Sequence, residues 1–408
     1  MLRRTFSDLH SLRRETRRYL VGSALMGAAF SVPWTLLNLY LDALGYSKVE
    51  IGNVQSAEAW GRGLVAIPAA FVLARRRTTP ILAVTAALAG LAYAALPAMP
   101  NLLALWFLNA GRGLLDQVHH VAIAPFLFRH TSLKERAAAF GLAEAVHTLA
   151  AVVGSFGCGR AVELLEPVAG DPTRAMAWVL TATGVLPLLA ALAFLGIGET
   201  VRPPEESPPV LPTLRRHRGL VARFAAPQFV IACGAGLVIP FLGLYFQERF
   251  DFEPGSVGTL YACGQVLMTT GFLASPWILR RLGFVRGIVA VELCSIPFFL
   301  VLAFSHQLPI AIAAFLLRGA LMNTAHPIFK NLMMEGSPPG LRELQNGVLG
   351  LLWGVGWIVG PLLGGFILDE TGGSYTVLMC ATVACYLMAS TLTFFLLRPV
   401  ERGLERPS

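Results

Sequence analysis

Twelve runs of predominantly apolar residues follow one another along this chain: 19–41, 50–74, 80–97, 101–126, 137–162, 174–197, 222–246, 256–279, 284–304, 307–329, 344–368 and 374–397. A helix needs about 20 such residues to cross the hydrocarbon of a bilayer. Backbone that faces lipid must satisfy its own hydrogen bonds, so runs of this length are read as helices. Only 14% of the 408 residues are charged and 55% are hydrophobic, against about 25% charged in soluble domains. Too little polar surface exists to cover a soluble protein. The expected fold class is an all-α integral membrane protein with twelve transmembrane helices and the lipid bilayer as its solvent.

The net charge of +8 would suggest a nucleic-acid partner in a soluble protein. Here the basic residues sit in alternate loops and speak for topology, with no nucleic acid implied. Arg3, Arg4, Arg13, Arg14, Arg17 and Arg18 precede the first run, Arg75, Arg76 and Arg77 follow the second, and Arg129, Lys134 and Arg136 follow the fourth. Arg202, Arg215, Arg216, Arg218 and Arg223 follow the sixth run, Arg280, Arg281 and Arg286 the eighth, Lys330 and Arg342 the tenth, and Arg398, Arg402 and Arg406 the last. The opposite loops hold Lys48, Arg174 and Arg249. The positive-inside rule then puts both termini in the cytoplasm of a cell whose inner membrane the chain crosses. Arg3-Arg4 resembles a twin-arginine signal, but no apolar core follows it directly. Leu2, Phe6, Leu9 and Leu12 at helical spacing suit either a short interfacial helix or a plain basic tail. Six cysteines fall inside the runs at no metal or redox spacing, and no disulfide framework is expected.

The second half repeats the first at a constant offset of 206 residues. Gly52 meets Gly258, Arg75 meets Arg281, Arg112-Gly113 meets Arg318-Gly319, His120 meets His326, Gly154 meets Gly360 and Glu163 meets Asp369. Between the copies, residues 198–218 are rich in proline and charge and too polar to enter a bilayer. The expected organisation is a basic segment 1–18, a six-helix bundle 19–197, a cytoplasmic linker 198–221, a second bundle 222–397 and a tail 398–408. Two bundles of like orientation imply a pseudo-twofold axis along the membrane normal, with a substrate site near the midplane between them.

The eleventh run reads Gly356-Trp357-Ile358-Val359-Gly360-Pro361-Leu362-Leu363-Gly364-Gly365. This resembles the GxxxGPxxGG motif of the major facilitator superfamily, carried by its antiporters in the fifth span. Glycines at this spacing let helix backbones approach closely. The fifth run keeps Gly154 and Gly159, with Ala150 and Ser155 where the motif has glycine and proline. The loop after the second run is similar to the family's GxLaDRxGRR motif. Arg75 matches it, with Ala74 in place of the aspartate, and the second copy keeps Arg281 and Gly283. The resemblance implies a secondary transporter with a central cavity lined by some helices and supported by others.

Charged residues inside a span cost about 2.5–3.5 kcal/mol each on insertion scales, which marks them as functional or paired. Glu58 and Arg62 stand four apart in the second run, as do Arg112 and Asp116 in the fourth; Glu144 and His147 stand three apart in the fifth. A carboxylate removed from water holds a proton more readily, and a nearby guanidinium reverses that. Asp116, Glu58, Glu144, His147 and His120 are therefore candidates for proton coupling, with Asp116 or Glu58 foremost. Static ion pairs are the plainer reading. Arg112, Arg318, His326, Asn323, Arg62, Gln265 and Trp34 are candidates for the cavity wall. Glu292 is expected to reach toward a membrane edge.

Together these features predict a proton-coupled transporter of a small organic solute, and no enzyme, metal or cofactor. Efflux of amphipathic compounds rests on the eleventh-run motif, and import of an organic anion or polar nutrient on Arg318, His326 and Lys330. A transport-dead sensor or scaffold and a membrane metalloenzyme using Asp116, His119, His120 and His147 are remote alternatives. No GxxxxGK[ST] loop for ATP is present. A monomer is expected.

Overall fold

The computed structural model describes residues 14–130, 133–198, 210–338 and 341–404. Among them are fifteen α-helices, two short 3₁₀ turns and no strand. The helices are α1 (Arg14–Ala43), α2 (Lys48–Arg75), α3 (Thr78–Ala95), α4 (Leu102–His130), α5 (Leu133–Ala169), α6 (Pro172–Thr183), α7 (Val185–Leu195), α8 (Val210–Arg216), α9 (Arg218–Val238), α10 (Leu242–Phe250), α11 (Pro254–Leu282), α12 (Phe284–Phe304), α13 (Leu308–Gly336), α14 (Arg342–Glu370) and α15 (Tyr375–Leu404). Every apolar run lies on helix. Many helices outrun their apolar stretch, because the run marks the hydrocarbon and the helix continues into the headgroup layer. The sixth run is divided at Gly184, and the seventh passes through a 3₁₀ turn at Ile239–Phe241, where Pro240 has no N–H to give the ladder.

Among the described residues, ten helical segments are long and apolar enough to cross a membrane. α2 and α4, of similar length, carry Glu58, Arg62, Arg112 and Asp116. The proposed interfacial helix at residues 2–12, the basic residues Arg3, Arg4, Arg13 and Arg406, and linker residues 199–209 lie outside the described residues.

The chain forms two compact units. The first takes in the described residues of Met1–Gly45, Ala57–Glu205 and Glu253–Ala262; the second takes in those of Tyr46–Ser56, Glu206–Phe252 and Cys263–Ser408. Each unit thus holds the opening turns of one helix whose remainder belongs to the other, and both exchanged helices are cut at matching points of the repeat (Ser56 and Ala262 are 206 apart). In the first unit Tyr19, Ala86, Phe126 and Phe194 belong to a continuous buried core; in the second, Phe224, Ile288, Phe329 and Leu397 do the same.

Glycine spacing explains how closely the helices approach. In the second unit, a Cβ at Gly360 would meet the backbone of Gly236, and one at Gly356 would meet Ala232, so this face of α14 lies directly on α9. The neighbouring face serves another contact: a Cβ at Gly365 would run into the Lys48 carbonyl, and one at Gly52 into that of Pro361. In the first unit, Gly154 of α5 meets Ala28 and Ser31 of α1 in the same way. The offset of 206 therefore carries a packing contact as well as a residue identity.

Candidate functional site

Gly61 and Gly113 set the crossing of α2 and α4. A Cβ on Gly113 would strike the Glu58 carbonyl, and one on Gly61 would strike that of Ala110. With no side chain at either point, the backbones close up and Glu58 comes within reach of Arg112. The Arg112 guanidinium donates through Nη2 to Glu58, through Nε to Asn109 Oδ1 at 2.9 Å, and through Nη1 to Asp116 Oδ2 at 3.2 Å and Tyr93 Oη at 3.3 Å. The other Glu58 oxygen pairs with Arg62. Tyr93, from α3, donates its hydroxyl to Asp116 Oδ2 at 2.8 Å and places its ring 5.2 Å from the guanidinium carbon. Arg112 is 1% exposed, Asp116 3% and Glu58 7%.

Two guanidinium groups face two carboxylates, so the network is neutral when all four are ionised. That balance is what makes burial tolerable, since removing one partner of a buried pair typically costs about 3–5 kcal/mol. One acceptor is left over. Asp116 Oδ1 is buried and has no hydrogen-bond partner.

The two i,i+4 pairs expected from spacing are thus both present, joined into a single network by Glu58–Arg112. Tyr93 and Asn109 were not among the expected residues. A signal for Tyr93 existed: Phe299 stands 206 positions on, and the Arg318 guanidinium carbon lies 4.8 Å from its ring. Both membrane arginines rest on an aromatic ring supplied by the same position of each copy.

Beside the network, His119, His120 and His147 form a cluster with ring centroids 5.3–6.3 Å apart. His147 Nδ1 lies 3.3 Å from the Ser23 carbonyl. His119 is buried, with neither ring nitrogen hydrogen-bonded. Among the described residues no group of three His, Cys, Asp or Glu is placed to hold a metal ion. The Glu144 side chain lies outside the described residues. Trp34 stacks near Phe30 at 6.1 Å, and Phe30 in turn lies 4.8 Å from the Arg62 guanidinium carbon.

In the second unit Arg318 is buried and also lies 6.0 Å from the Phe315 ring. Asn323 spends its amide on the Gly319 carbonyl of its own helix at 2.8 Å. His326 is exposed on α13, and Gln265 is half-buried on α11. Glu292 does not reach a membrane edge. It is 2% exposed and accepts from Ser390 Oγ at 2.8 Å.

The repeat also pairs two helix starts. Asp369 accepts the backbone N–H groups of Lys48 and Val49, each at 3.0 Å, at the N-terminus of α2 within the second unit. At the matching place in the first unit, the Glu163 carboxylate packs on Gly255 at the start of α11 and pairs with Arg160 at 2.6 Å. Of the loop motif, the Arg75 side chain lies outside the described residues. Arg281 is exposed, 5.3 Å from the Trp277 ring, and Gly283 has φ 78°, a conformation suited to glycine.

Residues 19–358 match the family model for the Major Facilitator Superfamily. The chain belongs to that superfamily. It is a secondary transporter, and the expected all-α fold is confirmed by solved structures. A bacterial homolog of the human lysosomal transporter Spinster, in an inward-facing and unoccupied conformation, has a TM-score of 0.79 at 14% identity, over 96% of this chain and 98% of that one. The nucleoside transporter NupG follows at 0.74 and 12%, over 97% and 100%. The human organic anion transporter MFSD10 (TETRAN) gives 0.61 and 16%, over 93% and 99%. These likenesses show a shared fold. Over 77 residues the transporter is 30% identical to YqgE of Bacillus subtilis (strain 168), a match spanning 18% of each chain.

Proposed function

We propose that this transporter moves a small organic solute across the cell's inner membrane by alternating access, coupled to protons through Asp116. The observation that carries the reading is a buried carboxylate oxygen of this network that has no hydrogen-bond partner, Asp116 Oδ1. A proton arriving there leaves the contacts of Tyr93 and Arg112 to Oδ2 undisturbed. It also removes one negative charge from a neutral set. The surplus positive charge on Arg112 and Arg62 is then relieved by rearrangement, which is how a proton is converted into motion of a bundle.

The glycine face of α14 supports export, because it is the antiporter-like motif in its packed form. Export of amphipathic compounds is the preferred direction. Import of an organic anion or polar nutrient is the alternative, supported by the exposed His326 and Lys330 on α13 and by the nucleoside and organic anion transporters among the structural relatives. The moving bodies in either case are the bundles 19–197 and 222–397, in a monomer with both termini in the cytoplasm.

The test uses purified protein in proteoliposomes with an imposed pH gradient and a panel of organic solutes. Wild type should show flux that follows the gradient. Asp116→Asn should lose gradient-driven flux while solute counterflow persists. Wild-type pH dependence in that variant would remove Asp116 from the coupling step.

A further inference from the structure

The second unit contains a cavity of about 160 Å³ between the start of α12 and the end of α15. Arg286, Arg398 and Arg402 line it, with Glu401, Phe394 and Leu282. Glu401 is already engaged: one of its oxygens accepts the N–H groups of Phe284 at 2.6 Å and Val285 at 3.2 Å, and so caps α12. None of the three arginines has a hydrogen bond or ion pair among the described residues. Arg398 only rests over the Phe394 ring at 4.9 Å. Three guanidinium groups against one carboxylate leave the cavity at +2.

We infer that this cavity holds the phosphate of an anionic phospholipid headgroup. The volume suits it, being room for roughly five waters, enough for a phosphate and the first carbons of its glycerol. Guanidinium forks match phosphate oxygens in geometry and charge. The rim favours a lipid over a free ion. Leu282 is 45% exposed, and Phe395, packed edge-on against Phe394 at 5.4 Å, is 67% exposed. Apolar side chains of that exposure beside a basic pocket give acyl chains a surface to follow. Nearby, Arg281 lies over the exposed Trp277, the pairing of cation and amphipathic ring expected where a helix leaves the bilayer.

The experiment titrates full-length protein in detergent with phosphatidylglycerol or phosphatidylcholine and counts bound lipid by native mass spectrometry. Wild type should prefer phosphatidylglycerol by at least about tenfold, given roughly fivefold per arginine near an anionic headgroup. The R286Q/R398Q/R402Q variant should lose that preference. E401Q keeps a carbonyl to cap α12 and removes the one acid, so it should tighten phosphatidylglycerol binding. If the triple variant does not fold, R402Q alone, with an expected loss of about fivefold, and E401Q carry the test. Equal binding of the two lipids by wild type, or an undiminished preference in the arginine variants, overturns the inference. So does displacement by glycerol 3-phosphate at the same concentration as the lipid, which would make the occupant a soluble phosphate.

Discussion

Tyr93 donates its hydroxyl to Asp116 across 2.8 Å, from α3 to α4. The second copy explains why a hydroxyl is needed here. Where the first copy has Tyr93 and Asp116, the second has Phe299 and Met322, each 206 positions on. The ring persists under both arginines, but the O–H occurs only where there is a carboxylate to receive it. Tyr93→Phe should therefore keep the packing and lose two bonds to charged partners, the one given to Asp116 and the weaker one accepted from Arg112, for a cost of about 1–3 kcal/mol. Denaturant unfolding in detergent measures it. An unchanged midpoint would show that the hydroxyl contributes nothing to the network.

Glu58 bridges two cations, so its loss should cost more than that of Arg62, which pairs with Glu58 alone. Glu58→Gln leaves Arg62 without its carboxylate and Arg112 with Asp116 alone, and a loss of about 3–5 kcal/mol is expected. The second substitution in Glu58→Gln/Arg62→Gln removes the stranded charge, while Arg112 keeps Asp116. The double variant should recover part of the loss, with a coupling energy of about 0.5–3 kcal/mol. Strict additivity in the unfolding midpoints would argue that the ion pair between Arg62 and Glu58 is incidental.

The membrane fold was legible because lipid permits so few alternatives: an apolar run of this length has to be a helix, and a constant offset has to be a duplication. Spacing within one helix was also sufficient to pair Glu58 with Arg62 and Arg112 with Asp116. The link between those pairs was not legible. Glu58 and Arg112 are 54 residues apart, and what joins them is a helix crossing set by Gly61 and Gly113, which look like any other glycines among the 40 in the chain. Tyr93 was hidden for a different reason, being a lone tyrosine in an apolar run. Glu292 was misplaced because its partner Ser390 lies 98 residues away on α15, and a single acid on a helix carries no sign of whether it faces lipid or a neighbour.

Two glycines of α14 make opposite predictions. Gly360 lies on the Gly236 backbone, whereas a Cβ on Gly354 meets nothing within 4 Å. Gly360→Ala should push α14 from α9 at a cost of about 1–3 kcal/mol. Gly354→Ala should be neutral or stabilising by up to about 1 kcal/mol, since alanine loses less backbone entropy in a helix. Thermal unfolding of the two variants side by side checks the packing, and equal effects would refute it.

Asp369 spends both carboxylate oxygens on the first turn of α2, one on Lys48 and one on Val49. Asparagine cannot do the same, because its amide nitrogen would confront an N–H. The substitution also removes a negative charge from a helix N-terminus, where it contributes about 0.3–1 kcal/mol and up to about 2 when partly buried. Lys48–Val49 and Asp369 come from different halves of the sequence yet sit in one unit, so alternating access would have to break this contact once per cycle. Asp369→Asn should then raise the separated population roughly fivefold for about 1 kcal/mol. Spin labels at Val49→Cys and Glu370→Cys, in a background freed of native cysteines, would read it as added weight at long distance. Identical distance distributions with and without Asp369→Asn would show that the cap is not broken during transport.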